Sequence, residues 1–336
     1  MKGAIFAFSR QGCQTARRIM EACPEMTWQS FTMERFSESD FAPITPKCYG
    51  DCFSSTELMV FVGSCGIAVR KIAPYVHDKR TDPAVICVDE LGTFVIPLLS
   101  GHIGGANALA RRIAESLHAT AVITTATDIN CKFSVDTWAT ENGCAISSMK
   151  LAKAVSAAIL EGDIPFKSDF PVAGSLPNGV VPGETGHLGI YLTVTDLEPF
   201  ENTLRLIPKR LHLGIGCRRG TEKEAIQAAV EQVFRAHHLD FRAVQSAASI
   251  DLKKDEEGLL SFCCEQNIPI RFYTAEELKA VSGDFTPSAF VQSITGVDNV
   301  CERAALMGAE ELIVRKTACH GVTVAVAMEK WEVHFG

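Results

Sequence analysis

The run Leu99-Ser100-Gly101-His102-Ile103-Gly104-Gly105-Ala106-Asn107 decides how this chain is read. It stands between a short apolar stretch, 94–99, and an amphipathic stretch, 108–117. Apolar residues in a strand-length run, then clustered glycines, then apolar residues at helical spacing predict strand, tight loop and helix. Gly101, Gly104 and Gly105 let the backbone approach a ligand closely. The helix that follows turns its unpaired N–H groups into the loop, which suits an anion or a developing negative charge. His102 sits among those donors and is the side chain best able to move a proton near neutral pH. Ser100 and Asn107 complete the candidate contacts. A glycine turn with a surface histidine has the same local signature, so the rest of the chain must decide.

Working outward, strands are predicted at 3–8, 58–62, 84–88, 93–98 and 121–124, with helices over 15–22, from 67 to about 75, and over 106–117. Asp89-Glu90-Leu91-Gly92 reads as a hairpin turn between two of the strands. This alternation predicts an α/β fold, an N-terminal Rossmann-like open sheet with one antiparallel pair, over 1–139. A small α+β domain or linker, 140–206, carries a helix over 151–160 and a Pro- and Gly-rich stretch, 165–189. A C-terminal α/β domain, 207–336, follows. Its strand 211–215 enters Gly216-Cys217-Arg218-Arg219-Gly220, and Thr221 with Glu224 spells a capping box. A second capping box is spelled by Thr274 and Glu277, and a helix is predicted over 297–307.

With 336 residues, 47% hydrophobic and 21% charged, the chain has enough apolar material for more than one core. No apolar run reaches membrane-spanning length, and the first residues lack the pattern of a signal peptide. The 13 cysteines are odd in number and scattered through apolar segments, which points to reduced thiols in a cytoplasmic protein. No Cys-x-x-Cys pair occurs, and no metal site is expected. A net charge of -8 disfavours a general nucleic-acid binder while leaving room for a local basic pocket.

Four further constellations could carry chemistry. Gly63-Ser64-Cys65-Gly66, followed by Arg70 and Lys71, offers a helix N-terminus and positive charge to a carboxylate or phosphate. It fails the Gly-x-Gly-x-x-Gly fingerprint and also fits an ordinary strand-to-helix turn. Asp89-Glu90 is either an exposed turn or a source of a base, Glu90. If the flanking strands are antiparallel, that turn and the His102 loop lie at opposite sheet edges. Thr124-Thr125-Ala126-Thr127-Asp128 follows a strand, where α/β sheets place ligands, and Asp128 could orient a histidine. Gly216, Cys217, Arg218, Arg219 and Thr221 form a candidate carboxylate cradle, with Cys217 either a thiolate or a packed thiol. Cys319-His320 reads as a turn. A triad of Ser100, His102 and Asp128 is rejected, since no Gly-x-Ser-x-Gly elbow is present.

Taken in order, Gly63-Ser64-Cys65-Gly66-Ile67-Ala68-Val69-Arg70, Thr81-Asp82-Pro83-Ala84-Val85, Asp89-Glu90-Leu91-Gly92, Leu98 to Asn107 and Ile123 to Asp128 resemble the N-terminal pattern of the cobalt-precorrin-5A hydrolase family of anaerobic cobalamin biosynthesis. Gly214 to Thr221, Thr295-Gly296-Val297 and Cys301 to Leu306 resemble its C-terminal part. The resemblance implies an enzyme that opens the δ-lactone of cobalt-precorrin-5A and releases acetaldehyde to give cobalt-precorrin-5B. It implies a cobalt-containing tetrapyrrole substrate rich in carboxylates, the cobalt arriving with it, and no separate cofactor. Other cobalamin-pathway enzymes are conceivable partners, and the oligomeric state is not specified. On this reading His102 shuttles protons, Glu90 is the alternative base, and Asp128, Thr124 and Thr125 orient it or the substrate. Gly104 and Gly105 supply oxyanion donors, while Arg70, Lys71, Arg218 and Arg219 hold peripheral carboxylates. A non-catalytic carrier of a corrinoid intermediate is the rival. A nucleotide-dependent oxidoreductase is a weaker one, because the glycine fingerprint is missing.

Overall fold

The computed structural model describes residues 1–78, 81–102, 104–319 and 321–335. It separates into two compact units, Met1–Thr137 and Trp138–Gly336. The second unit holds two sheets, one drawn from 144–208 and one from 211–328.

The first unit runs β1 (Lys2–Ala7), α1 (Arg10–Ala22), β2 (Thr27–Thr32), β3 (Ala42–Pro43), α2 (Cys48–Ser55), β4 (Leu58–Val62), α3 (Cys65–Ile72), β5 (Ala84–Val88), β6 (Phe94–Leu99), α4 (Ala106–Leu117), β7 (Thr120–Ala121) and α5 (Ala126–Ile129). A further helix, α6 (Val135–Glu141), leads out of it. Its seven strands lie in the order β3-β2-β1-β4-β5-β6-β7. Pairing is parallel except between β5 and β6, where Val85 faces Leu99 and Val88 faces Val95.

Strand residues alternate faces, and here both faces are apolar, as a sheet covered on two sides requires. Ile5, Val60, Ile86 and Val88 pack under Ala16 and Ile19 of α1 and Ala110, Ile113 and Leu117 of α4. Ala4, Phe6, Met59 and Phe61 pack under Tyr49 and Phe53 of α2 and Ala68 and Ile72 of α3. Phe6 stacks on Phe31, Tyr49 and Phe61 at 5.0, 5.0 and 5.1 Å. The expected last strand, 121–124, is reduced to β7. Thr120 and Ala121 pair with β6, the Val122 N–H donates once more to the Val95 carbonyl at 2.8 Å, and the chain then turns off to line a pocket.

In the second unit, β8 (Cys144–Ile146), α7 (Met149–Glu161), β9 (Ile164–Ser168), β10 (Val180–Pro182), β11 (Leu188–Leu192) and β12 (Asn202–Pro208) give the sheet β10-β9-β11-β12-β8. The Pro- and Gly-rich stretch thus contributes a strand, β10, paired with β9. Then come β13 (Leu211–Cys217), α8 (Lys223–Ala236), β14 (Val244–Ile250), α9 (Glu257–Glu265), β15 (Ile270–Tyr273), α10 (Ala275–Ala280), α11 (Ala289–Thr295), α12 (Cys301–Leu306), β16 (Glu311–Cys319) and β17 (Val322–Met328). They form the sheet β15-β14-β13-β17-β16. Gly214 of β13 is where α12 crosses the sheet, and a Cβ there would overlap the Cys301 carbonyl oxygen.

Two local expectations are corrected. Thr221 caps nothing: its hydroxyl donates to the Arg218 carbonyl at 2.8 Å, and α8 starts after Glu222 without a side-chain cap. The helix expected over 297–307 is only α12, because Gly296 takes φ +73 at the end of α11 and the Asn299 side chain accepts from the Glu302 N–H. Thr274 and Glu277, by contrast, close a reciprocal capping box.

Candidate functional site

The loop between β6 and α4 is held by its own backbone. Ala106 N–H donates to the Ser100 carbonyl and Asn107 N–H to the Gly101 carbonyl. Ser100 is buried and left-handed at φ +57, and its hydroxyl donates to the Asp82 carbonyl at 3.0 Å, so it is engaged structurally. Gly104 passes so close to Ser100 that a Cβ there would overlap the serine Cβ. Gly105 caps α4, and its N–H is spent on the His102 carbonyl at 2.8 Å. That corrects the expectation of Gly105 as an oxyanion donor, because the donor is already bonded inside the turn. Ile103 lies outside the described residues, as does His320 of the Cys319-His320 pair.

What the loop presents is His102, bracketed by carboxylates. Its Nε2 lies 3.2 Å from Asp128 Oδ2 and its Nδ1 lies 3.3 Å from Asp136 Oδ1. Thr127 Oγ1 stands 3.3 Å from Nε2. Asn107, in the first turn of α4, donates to Thr125 Oγ1 at 2.8 Å and to Asp128 Oδ2 at 3.0 Å. Arg111, one turn further along α4, closes on Asp128 Oδ1. Asp136 Oδ1 accepts from the Ser134 hydroxyl at 3.0 Å and from the Thr137 N–H at 3.1 Å. A pocket of about 340 Å³ opens here, lined by Leu98, Ser100, His102, Asn107, Thr124, Thr125 and Asp136 among others.

The electrostatics follow from the contacts. The Asp136 carboxylate, and after it Asp128, push the imidazole above its usual range, against the opposing effect of burial. Burial pushes the Asp128 carboxyl up, but Arg111 and then His102 outweigh it and hold that group below the usual carboxylate range. An imidazole with a carboxylate at each nitrogen is stabilised as imidazolium, both nitrogens donating.

Other sequence candidates lie elsewhere. Glu90 accepts from the Ser9 hydroxyl at 2.6 Å, and Asp89 accepts from the Thr93 N–H at 2.7 Å. Both stand where β5 ends and β6 begins, whereas His102 follows the far end of β6, roughly 16 Å away along the strand. Gly63, Ser64 and Gly66 share the Glu90 edge, at the C-terminal ends of the parallel strands. Arg70 folds back toward Gly66, while Lys71 points its ammonium over the Tyr49 ring at 5.1 Å. Gly216, Cys217, Arg218, Arg219 and Thr221 belong to the other unit. There the Gly220 N–H already donates to the buried Glu256 carboxylate at 2.9 Å, which is also paired with Lys253. Burial pushes the Cys217 thiol up, and this favours the neutral thiol over the thiolate. Among the described residues no group of three or more His, Cys, Asp or Glu is placed to hold a metal ion, and no helix is long and apolar enough to cross a membrane.

Comparison with known proteins bears on this geometry. Residues 47–128 match the family described as cobalamin synthesis G N-terminal, and residues 211–327 match cobalamin synthesis G C-terminus. The cobalt-precorrin-5A hydrolase of Salmonella typhimurium is 33% identical, over 97% of each chain. The chain belongs to the cobalt-precorrin-5A hydrolase family. The family's enzyme from Priestia megaterium is 30% identical over 97% of this chain and 94% of its own. A solved cobalamin biosynthesis protein G homolog from Sulfolobus solfataricus covers 98% of this chain and 97% of its own at 22% identity and a TM-score of 0.42. The N-terminal family match takes in His102, Asn107, Arg111 and Asp128 and stops short of Asp136. Neither Arg111 nor Asp136 was singled out by sequence reasoning in this family member. Arg111 could have been found from its i,i+4 spacing to Asn107 on a strongly periodic helix. Asp136 gives no such signal.

Proposed function

We propose that this chain hydrolyses cobalt-precorrin-5A, opening its δ-lactone and releasing acetaldehyde to give cobalt-precorrin-5B. The observation that carries the site assignment is His102 standing between Asp128 and Asp136 at the wall of a pocket. At about 340 Å³ that pocket is at the small end of ligand sites, so it receives one edge of the macrocycle, the lactone, and not the whole. Water adds to the lactone carbonyl, the C–O bond to the ring oxygen breaks, and the protons of the added water pass to bulk solvent as the product carboxylate forms. The departing alkoxide needs a proton, and the imidazolium of His102 supplies it. Acetaldehyde then leaves as the new hydroxyl gives its proton back to the neutral imidazole. The electron pair of the broken C–C bond passes into the conjugated macrocycle. One histidine thus serves both steps and ends as it began.

Thr124 and Thr125 supply hydroxyls to orient the substrate, and Asn107 with Arg111 keeps Asp128 fixed against His102. Glu90 is not part of this proposal, because it stands at the opposite end of β6. Cobalt belongs to the substrate. The thirteen cysteines, none of them in a disulfide, suit a reducing compartment, and we place the enzyme in the cytoplasm. The test is to mix purified protein with cobalt-precorrin-5A and assay acetaldehyde. Stoichiometric release supports hydrolysis. Tight binding of the tetrapyrrole without acetaldehyde would make the protein a carrier of the intermediate instead.

A further inference from the structure

A second line of reactive side chains lies in the other unit. Ser246 Oγ stands 2.8 Å from His212 Nδ1, and His212 Nε2 stands 2.9 Å from Glu329 Oε1. They come from β14, from β13 and from the residue that follows β17. The second oxygen of Glu329 accepts from Arg210 Nη1 at 2.8 Å, and the Glu329 N–H donates to the Arg210 carbonyl at 2.9 Å, so the carboxylate is fixed at both ends. His212 is buried and Ser246 half-buried. The backbone is bent to make this line. Leu211 pairs with Val244, but His212 pairs with Ser246, and Gln245 is the extra residue. In an unbroken register Gln245 would stand where Ser246 does. Bulges re-aim a side chain in this way and are concentrated beside active sites. Gly308 belongs to the same arrangement, because a Cβ there would lie 2.5 Å from His212 Nδ1. Glycine lets the exposed turn after α12 lie against the nitrogen that Ser246 meets.

A carboxylate only accepts, so Glu329 places the proton of the neutral imidazole on Nε2 and leaves Nδ1 to accept from the Ser246 hydroxyl. A hydroxyl donating to an imidazole whose far nitrogen is tied to a carboxylate is the arrangement that activates a serine, and geometry defines it, not position in the chain. We propose that Ser246, His212 and Glu329 form a second reactive site, in which Ser246 is a nucleophile toward small acyl esters. Ser246 Oγ bonds to the acyl carbon, and its proton passes to His212 Nδ1. The ester C–O bond then breaks, and the departing alkoxide takes that proton with it. Water releases the acyl group as a carboxylic acid and returns the serine hydroxyl. Glu329 is a positioning residue that acts through His212. The site does not depend on the hydrolytic reading of the His102 pocket, which belongs to the first unit.

The test begins with the unmodified protein and a fluorophosphonate ester. Ser246 Oγ forms the bond to phosphorus, fluoride leaves with the electron pair of the P–F bond, and His212 takes the proton. The expected result is an adduct on Ser246, located by peptide mass spectrometry, in folded protein and absent from protein unfolded in urea. No adduct on Ser246, or equal labelling of the unfolded chain, overturns the proposal without any variant. His212→Gln is expected to slow labelling by roughly a hundredfold or more. Glu329→Gln keeps the shape and removes the charge, and should slow it by roughly tenfold or more, with part of the loss recovered in Glu329→Asp. A folded His212→Gln protein labelled at the parent rate sinks the proposal. Hydrolysis of p-nitrophenyl acetate should fall to the buffer rate in Ser246→Ala, and an unchanged rate counts against the site. The same variant should release acetaldehyde from cobalt-precorrin-5A at the parent rate. A loss there would place Ser246 in the first reaction and overturn its separate role, whereas failure of the labelling alone leaves the His102 reading standing.

Discussion

His102→Ala removes the proton donor while leaving the glycine loop, whose backbone bonds do not depend on the imidazole. Acetaldehyde release is expected to fall by roughly a hundredfold or more, the usual worth of a positioned acid. A rate near that of the parent would eliminate His102. Glu90→Gln is the paired control. Its carboxylate is bound to Ser9 at the other end of the hairpin, so its rate should stay close to the parent's. A collapse comparable to that of His102→Ala would move the chemistry to that edge. At this scale His102 and Asp128 were legible, because a glycine-lined loop and a post-strand Thr-Thr-x-Thr-Asp run advertise themselves locally. Asp136 was not. It is a single acidic residue in the first turn of α6, and its tie to His102 spans 34 residues of chain, a tertiary contact no local spacing encodes.

Elements were read well where burial and capping act together. The helix 106–117 coincides with α4 because its apolar periodicity starts at a glycine and stops at the left-handed His118. Two sequences spelled a capping box, and only one formed. Thr274 faces its own helix start, whereas Thr221 sits in a loop drawn toward α9, so near that a Cβ at Gly258 would overlap its carbonyl oxygen. Thr274→Ala should therefore cost about 1 kcal/mol of stability, while Thr221→Ala should stay within about 0.5 kcal/mol, both read from urea midpoints. Equal losses would contradict the observed caps. The short β7 and the divided 297–307 segment escaped sequence reasoning for another reason. Propensity extends an element until a partner runs out, and the partners are set by the sheet.

At the scale of the whole chain, strand and helix alternation gave the α/β class and the one antiparallel pair. That pair has a functional consequence, since it puts the His102 loop on the edge away from the C-terminal ends of the parallel strands, where α/β sheets ordinarily hold ligands. The charged groups of the site on that edge are side chains carried by the loop, α4, α5 and α6, and their pairing couples to stability. The folded state raises the His102 pKa, so it binds a proton more tightly than the unfolded chain does. The resulting stabilisation is complete below the unfolded value of about 6.5 and fades as pH rises through the higher folded value. Asp128 runs the other way. Its folded pKa is lowered, so its contribution is present above the ordinary carboxylate value of about 3.9 and is lost as pH falls through the folded one. The parent should exceed His102→Gln in urea midpoint by the widest margin near pH 6, between the two losses. That margin should narrow on going to pH 9 and again on going to pH 3. A margin that widened toward alkaline pH would mean that the imidazole is held neutral in the folded protein, and the bracket of carboxylates would then need another explanation.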